Sequence, residues 1–321
     1  MNKQILGIHH ITAIAGDPQT NLNFYAGLLG LRLVKLTVNF DDPTTYHLYY
    51  GDGAGHPGTI LTFFPWPSAP KGRRGAGQVT ETAFAIPENA TDFWVERLTR
   101  GGIAFEGPFD RFGEKVLAFS DPDGMRVELI ATATAGVERA YGAGPVPLEF
   151  AIRGFHGATL SEADRGPTGS LLTDTMGFKL IAQDGNRFRY AADSEESARF
   201  VDVLHVPQER HGRVLVGSVH HIAFRTPDDA QQAAWLEELS KRHYGVSPVM
   251  DRKYFHSIYY REPGNILFEI ATDPPGFAVD EAAGMLGSHL VLPAWLERDR
   301  ARLEAVLPPL TLPGIAAGAA R

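Results

Sequence analysis

The sequence predicts an α+β fold built from four βαβββ modules, and three observations carry that prediction. One pattern recurs four times: an apolar, β-branched strand, a helix stopped by glycine, then further strands. Two copies open on nearly the same residues, Ile8-His9-His10-Ile11-Thr12-Ala13 and Val219-His220-His221-Ile222-Ala223-Phe224. Two copies place an equivalent turn before their last strand, Asp121-Pro122-Asp123-Gly124 and Glu262-Pro263-Gly264-Asn265.

In the first copy Gly7–Ala13 reads as strand. A helix follows over Pro18–Leu28, with Asp17 as N-cap, Pro18 at its first position and Gly30 as its stop. Leu22, Phe24, Tyr25, Leu28 and Leu29 form its buried stripe. Strands are expected at Leu31–Val38, Thr45–Tyr50 and Thr59–Phe64. The second copy has a strand at Val79–Ile86, a helix at Ala90–Thr99 ended by Gly101-Gly102, and strands at Lys115–Phe119 and Met125–Ile130. The third runs from Ile152–Leu160 through a helix around Gly169–Met176 to strands at Lys179–Gln183, Arg187–Ala191 and Arg199–Val206. The fourth has Val216–Phe224, a helix at Asp228–Tyr244, and strands at Phe255–Arg261 and Asn265–Ala271. Loop-forming residues at 65–77 and 133–147 separate the copies. This gives residues 1–140 as an N-terminal pair of modules and 150–275 as a C-terminal pair. Residues 276–321 form a tail with one helix, Ala294–Val306, whose Trp295, Leu296, Leu303 and Val306 pack onto the body.

Composition removes several function classes. With 44% hydrophobic residues in 321, the chain can bury a full core. A formal charge of −8 argues against nucleic acid, which wants a basic face. The absence of cysteine excludes disulfides, thiolate metal sites and cysteine nucleophiles. No segment approaches the roughly 18 apolar residues of a membrane span, and Met1-Asn2-Lys3-Gln4 leads into a strand without a signal peptide. A soluble cytoplasmic protein is the expectation, and a homo-oligomer is left open.

Laid on one another, the copies align their key ends. Ala83-Phe84 matches Ala223-Phe224, which sets Glu81 at the place of His221; Ala158-Thr159 sets His156 there too. Glu128 matches Glu269, and Ile60-Leu61 matches Ile266-Leu267, so Phe63 takes the glutamate position in the first copy. A repeated unit of this kind resembles the vicinal oxygen chelate superfamily, the glyoxalase, bleomycin-resistance and extradiol-dioxygenase group. The resemblance covers roughly residues 5–275. It implies paired modules closed into two cupped mixed-sheet domains, with a metal in a cup.

Only the fourth copy offers a ligand type at both key positions without ambiguity, His221 and Glu269. The third ligand is His10 if the first copy is the partner, or His156 if the third is. Either trio is two histidines and a carboxylate, which occupy one face of a metal and leave the other open, as in non-haem iron(II) oxygenases. The matching His9-His10 and His220-His221 pairs favour His10. Glu81, Glu128 and His156 read as a vestigial group, salt-bridged or solvated, rather than a second metal site. The stretch from Arg252 through Asn265 to Glu269, with His9-His10-Ile11-Thr12, is most similar to ring-cleaving dioxygenases of the hydroquinone 1,2-dioxygenase type. That resemblance implies His10, His221 and Glu269 as ligands of Fe(II), with manganese and zinc as alternatives. It implies His9, Thr12, His220, Arg252 and Tyr259 as catalytic residues, and a small aromatic molecule and O2 as substrates. Two other readings stay open: a glyoxalase-type metal-dependent isomerase or lyase, and a resistance protein that sequesters aromatics without turnover.

Overall fold

The computed structural model describes residues 3–134, 136, 139–194 and 198–312. Met1-Asn2 and the end of the tail beyond Leu312 lie outside them.

The first module comprises β1 (Ile8–Ala15), α1 (Pro18–Leu22), β2 (Arg32–Val38), β3 (Tyr46–Gly51) and β4 (Ile60–Pro65). The second comprises β5 (Gln78–Pro87), α2 (Thr91–Arg100), β6 (Phe105–Arg111), β7 (Glu114–Ser120) and β8 (Arg126–Thr132). The third has β9 (Phe155–Glu162), α3 (Arg165–Ser170), β10 (Lys179–Asp184), β11 (Arg187–Ala191) and β12 (Phe200–His205). The fourth has β13 (Ser218–Thr226), α4 (Asp229–Lys241), β14 (Met250–Asp251), β15 (His256–Arg261) and β16 (Leu267–Thr272). The tail carries α5 (Arg300–Val306), shorter than the expected Ala294–Val306 because Glu297–Asp299 form a tighter 3-10 turn.

Asp17 caps α1 as expected, its Oδ1 accepting the Thr20 amide at 2.7 Å. The single helix expected over Pro18–Leu28 changes character at Asn23 and continues to Leu28 as a wider π turn. Gly30 then reverses the chain at φ 75°. The third module repeats this, with a π turn at Leu171–Thr175 and Gly177 at φ 80°.

Two eight-stranded mixed sheets result, ordered β14-β15-β16-β13-β1-β4-β3-β2 and β10-β11-β12-β9-β5-β8-β7-β6. The first joins modules one and four, and the second joins two and three. Grouping by chain order, 1–140 and 150–275, therefore does not describe the sheets. The physical reason lies in β1 and β13. β1 is buried throughout and β13 over most of its length, and each needs a strand on both sides, which they obtain by pairing antiparallel with each other at the sheet centre. Strand β6 was not expected, since Gly107-Pro108 interrupts it and much of it is exposed.

The helices cover the convex faces, where Trp94 of α2 and Trp235 of α4 are fully buried. The concave faces are left to form two cups. The tail closes one sheet edge: Val291 donates to the Leu36 carbonyl of β2 at 2.9 Å. Among the described residues no helix is long and apolar enough to cross a membrane.

Candidate metal centre

His10 on β1, His221 on β13 and Glu269 on β16 converge in the first cup. Their donor atoms all lie within 4.8 Å of one another, and all three residues are buried. His10 Nε2 is 3.3 Å from His221 Nε2. Glu269 Oε2 lies 3.3 Å from His10 Nε2 and 3.0 Å from His221 Nε2. The other carboxylate oxygen, Oε1, accepts a short hydrogen bond from Ser257 Oγ on β15. Burial alone would raise the Glu269 pKa, but His10 and then His221 hold it well below the usual carboxylate range. The acid is therefore ionised. Its Oε2 has no properly formed hydrogen bond although it is buried, a costly arrangement unless a cation takes that lone pair.

The flanking histidines fix which nitrogen carries a proton. His9 Nε2 lies 3.1 Å from the Thr272 carbonyl, which can only accept. Burial, then the charge of His10, lowers the His9 pKa far enough to keep the ring neutral. A neutral ring that donates from Nε2 has a bare Nδ1, and His9 Nδ1 is 2.9 Å from His10 Nδ1. His10 must then donate from Nδ1, which leaves its Nε2 lone pair for the centre of the cup. His220 makes the matching contact behind His221, Nδ1 to Nδ1 at 2.8 Å. His220 is half-buried, and burial followed by His221 holds it down to about 3. Two imidazole lone pairs and an ionised carboxylate oxygen thus converge in a buried pocket. These donors fit a metal ion, which His10, His221 and Glu269 would hold.

The pocket opens into a cavity of about 310 Å³. Phe40, Tyr49, Phe64, Trp66 and Phe255 wall it, suiting a flat apolar ring. Thr12, Arg252 and Tyr259 line it too, so all eight residues singled out from the sequence gather around one space, His9 from behind His10. Arg252 Nε donates to Tyr259 Oη at 3.1 Å, and its Nη1 pairs with Asp41 at 3.1 Å. Burial, then Glu269, raises the Tyr259 pKa, so the phenol keeps its proton.

Strand register corrects one expectation. Glu269 lies beside Ala223, two residues past His221, and Thr62 lies beside Thr12, two residues past His10. Thr62, not Phe63, holds the place of the glutamate in the first module. Phe63 faces the other way and packs at a tilt against Tyr25, ring centroids 4.6 Å apart. Thr62 Oγ1 instead bonds Thr12 Oγ1 and His47 Nε2, both at 2.8 Å. His47 and Ser257 are the site residues that sequence reasoning missed.

His156 does not join this centre. It lies in the second cup, where Gly157, opposite Ala83, holds the register that His221 holds opposite Thr12, and His156 falls one residue earlier, at the place of His220. There its Nε2 contacts Glu114 at 2.9 Å. Arg111 grips Glu128 through two bonds, Arg187 bridges Glu81 and Asp202, and Arg189 bridges Asp202 and Glu114. These ion pairs leave a void of about 10 Å³. Of the two arrangements expected for these residues, salt-bridged or solvated, the second cup shows the salt-bridged one.

The model of the Glyoxalase/Bleomycin resistance protein/Dioxygenase superfamily matches residues 7–129 and 170–279. The chain belongs to this superfamily. MhqO of Bacillus subtilis strain 168, provisionally named a ring-cleaving dioxygenase, is 46% identical over 96% of this chain and 98% of its own. A chlorohydroquinone/hydroquinone 1,2-dioxygenase of Sphingobium indicum is 36% identical over 92% of this chain and 94% of its own. A crystal structure of a Bacillus subtilis protein, provisionally described as a dioxygenase, superposes with a TM-score of 0.92 at 44% identity, covering 97% of this chain and 99% of that one. Glyoxalase I from Zea mays shares the superfamily fold at a TM-score of 0.61 and 15% identity.

Proposed function

We propose that the protein is a non-haem Fe(II) dioxygenase that cleaves the ring of hydroquinones or related phenols. The observation that supports this best is the three-donor set of His10, His221 and Glu269 facing Thr62. A threonine where the repeat would allow a fourth acidic ligand leaves one side of the centre for exogenous oxygen ligands. When bound, iron(II) supplies redox chemistry that lets O2 react with an electron-rich ring. Residues of the chain do the rest. The His9 and His220 rings hold the ligand histidines in one tautomer. The aromatic walls fix the plane of the substrate, and the Arg252 guanidinium stabilises phenolate charge as it develops. Tyr259, kept protonated, is a proton donor at its Oη. The dioxygenase names of the curated relatives favour the same reading. A cytoplasmic setting belongs to it, in keeping with a chain free of cysteine.

The test is oxygen consumption by iron-loaded protein mixed with hydroquinone. Uptake of about one O2 per ring, lost on chelation and restored by iron(II) but not zinc, is the expected result. No uptake with any phenol, together with zinc- or nickel-dependent isomerisation, would favour the isomerase reading instead.

A further inference from the structure

The strand arrangement around Glu269 in the fourth module has a counterpart around Thr62 in the first. In the fourth module, β15 pairs Tyr259 with Glu269, and Ser257, two residues earlier, donates to the Glu269 carboxylate. In the first module, β3 pairs Tyr49 with Thr62, and two residues earlier stands His47, bonded to Thr62. His47 is therefore the counterpart of Ser257, on the side of the cup that has no acidic ligand. A molecule occupying that side of the cavity lies against Thr12 and His47.

His47 is held ready for one specific contact. Its ring packs between Tyr49, centroids 3.9 Å apart, and Phe64, at 4.4 Å, which fixes its plane. Its Nε2 is committed to Thr62. Among the described residues its Nδ1 has no protein partner, while the half-buried ring lines the cavity. A polar atom without a protein partner, on a ring that lines an aromatic-walled cavity, is costly unless water or a ligand bonds it. Arg252, the cation lining this cavity, is already engaged with Tyr259 and Asp41.

We propose that His47 is a specificity-determining residue that hydrogen-bonds, through Nδ1, the ring hydroxyl remote from the metal centre, and so selects para-diols over monophenols. This rests on reading the cavity as a site for hydroxylated aromatic rings. A site built to bond a hydroxyl discriminates against the analogue that lacks it, because its own polar atom is then left unpaired.

Hydroquinone and phenol differ only in that hydroxyl, which makes them the probes. Titration calorimetry of each into oxygen-free, iron-loaded protein should show hydroquinone bound at least about tenfold more tightly. In His47→Phe, which keeps the ring packed between Tyr49 and Phe64, the ratio should fall to near one. Phenol affinity should stay within about threefold, which also reports that the cavity is intact. Should His47→Phe fail to fold, His47→Gln is expected to shrink the ratio at unchanged phenol affinity. A wild-type ratio near one, or a ratio that either variant leaves unchanged, overturns the assignment. No oxygen is present, so the measurement is separate from turnover. Discrimination through His47 without ring cleavage under air would sink the dioxygenase reading alone, and cleavage without discrimination would sink only the role of His47.

Discussion

A ligand histidine is only as good as the atom behind it, and His9 shows this. The chain Thr272 carbonyl, His9, His10 sets the proton on His10 Nδ1 and frees Nε2. His9→Ala leaves that N–H in a buried place without an acceptor and releases the ring to rotate. Metal affinity is expected to fall about 10–100-fold, as for other groups that orient ligands. Competition with a chromophoric chelator would measure it, and an unchanged affinity would show that His10 is oriented by strand geometry alone. At this scale the sequence was informative where residue type and repeat position coincide. His10, His221 and Glu269 have lone pairs and stand at equivalent ends of equivalent strands. His47 and Ser257 were not legible, because their importance comes from a neighbour across the sheet. Ser257 meets Glu269 twelve positions later and His47 meets Thr62 fifteen later, and no local pattern marks either pair.

For whole elements, a one-residue slip separates a metal ligand from a core side chain, since alternate residues of a strand face opposite ways. Matching Ile60-Leu61 with Ile266-Leu267 misses the true register by one, and the paired strands settle the matter in favour of Thr62. Two substitutions make the difference measurable. Thr62→Glu places a carboxylate opposite Glu269, so metal content should be retained or rise while oxygen uptake is lost. Phe63→Glu drives a charge into the aromatic cluster with Tyr25 and Tyr50, at a cost of several kcal/mol that should abolish cooperative folding. Metal analysis and a thermal melt on both variants give the answer, and the reverse pattern would put Phe63 in the cup. The helices and most strands were readable from caps, glycine stops and periodicity. The π turns after α1 and α3 were not, since one extra residue in a turn leaves the apolar spacing nearly unchanged. Nor was β6, whose glycine, proline and exposed charges look like a loop.

Across the whole molecule, four similar units can pair in more than one way, and similarity does not say which. Interleaving joins the first module to the last and puts long-range contacts between the two sheets under strong constraint. One of these contacts is titratable. Glu162 ends β9 in the second sheet, while Glu262 follows β15 in the first. Glu262 accepts from Thr168 Oγ1 at 2.7 Å and from the Ile266 amide at 2.9 Å. Gly264 lets Glu162 approach, since a Cβ there would fall 1.9 Å from Glu162 Oε2. Burial, and after it the charge of Glu262, raises Glu162 from its usual 4.5 to about 8, so the folded protein keeps a proton between the sheets that the unfolded chain has released. Between about pH 4.5 and 8 the folded state then binds more protons than the unfolded one, and stability must fall as pH rises through that window and level off above it. Glu162→Gln supplies the hydrogen-bond donor permanently. Its urea midpoint should match that of the wild type near pH 5 and exceed it at pH 8.5. Parallel pH profiles for the two proteins would show that the carboxyls separate and hydrate independently, and that the sheets are joined by apolar packing alone.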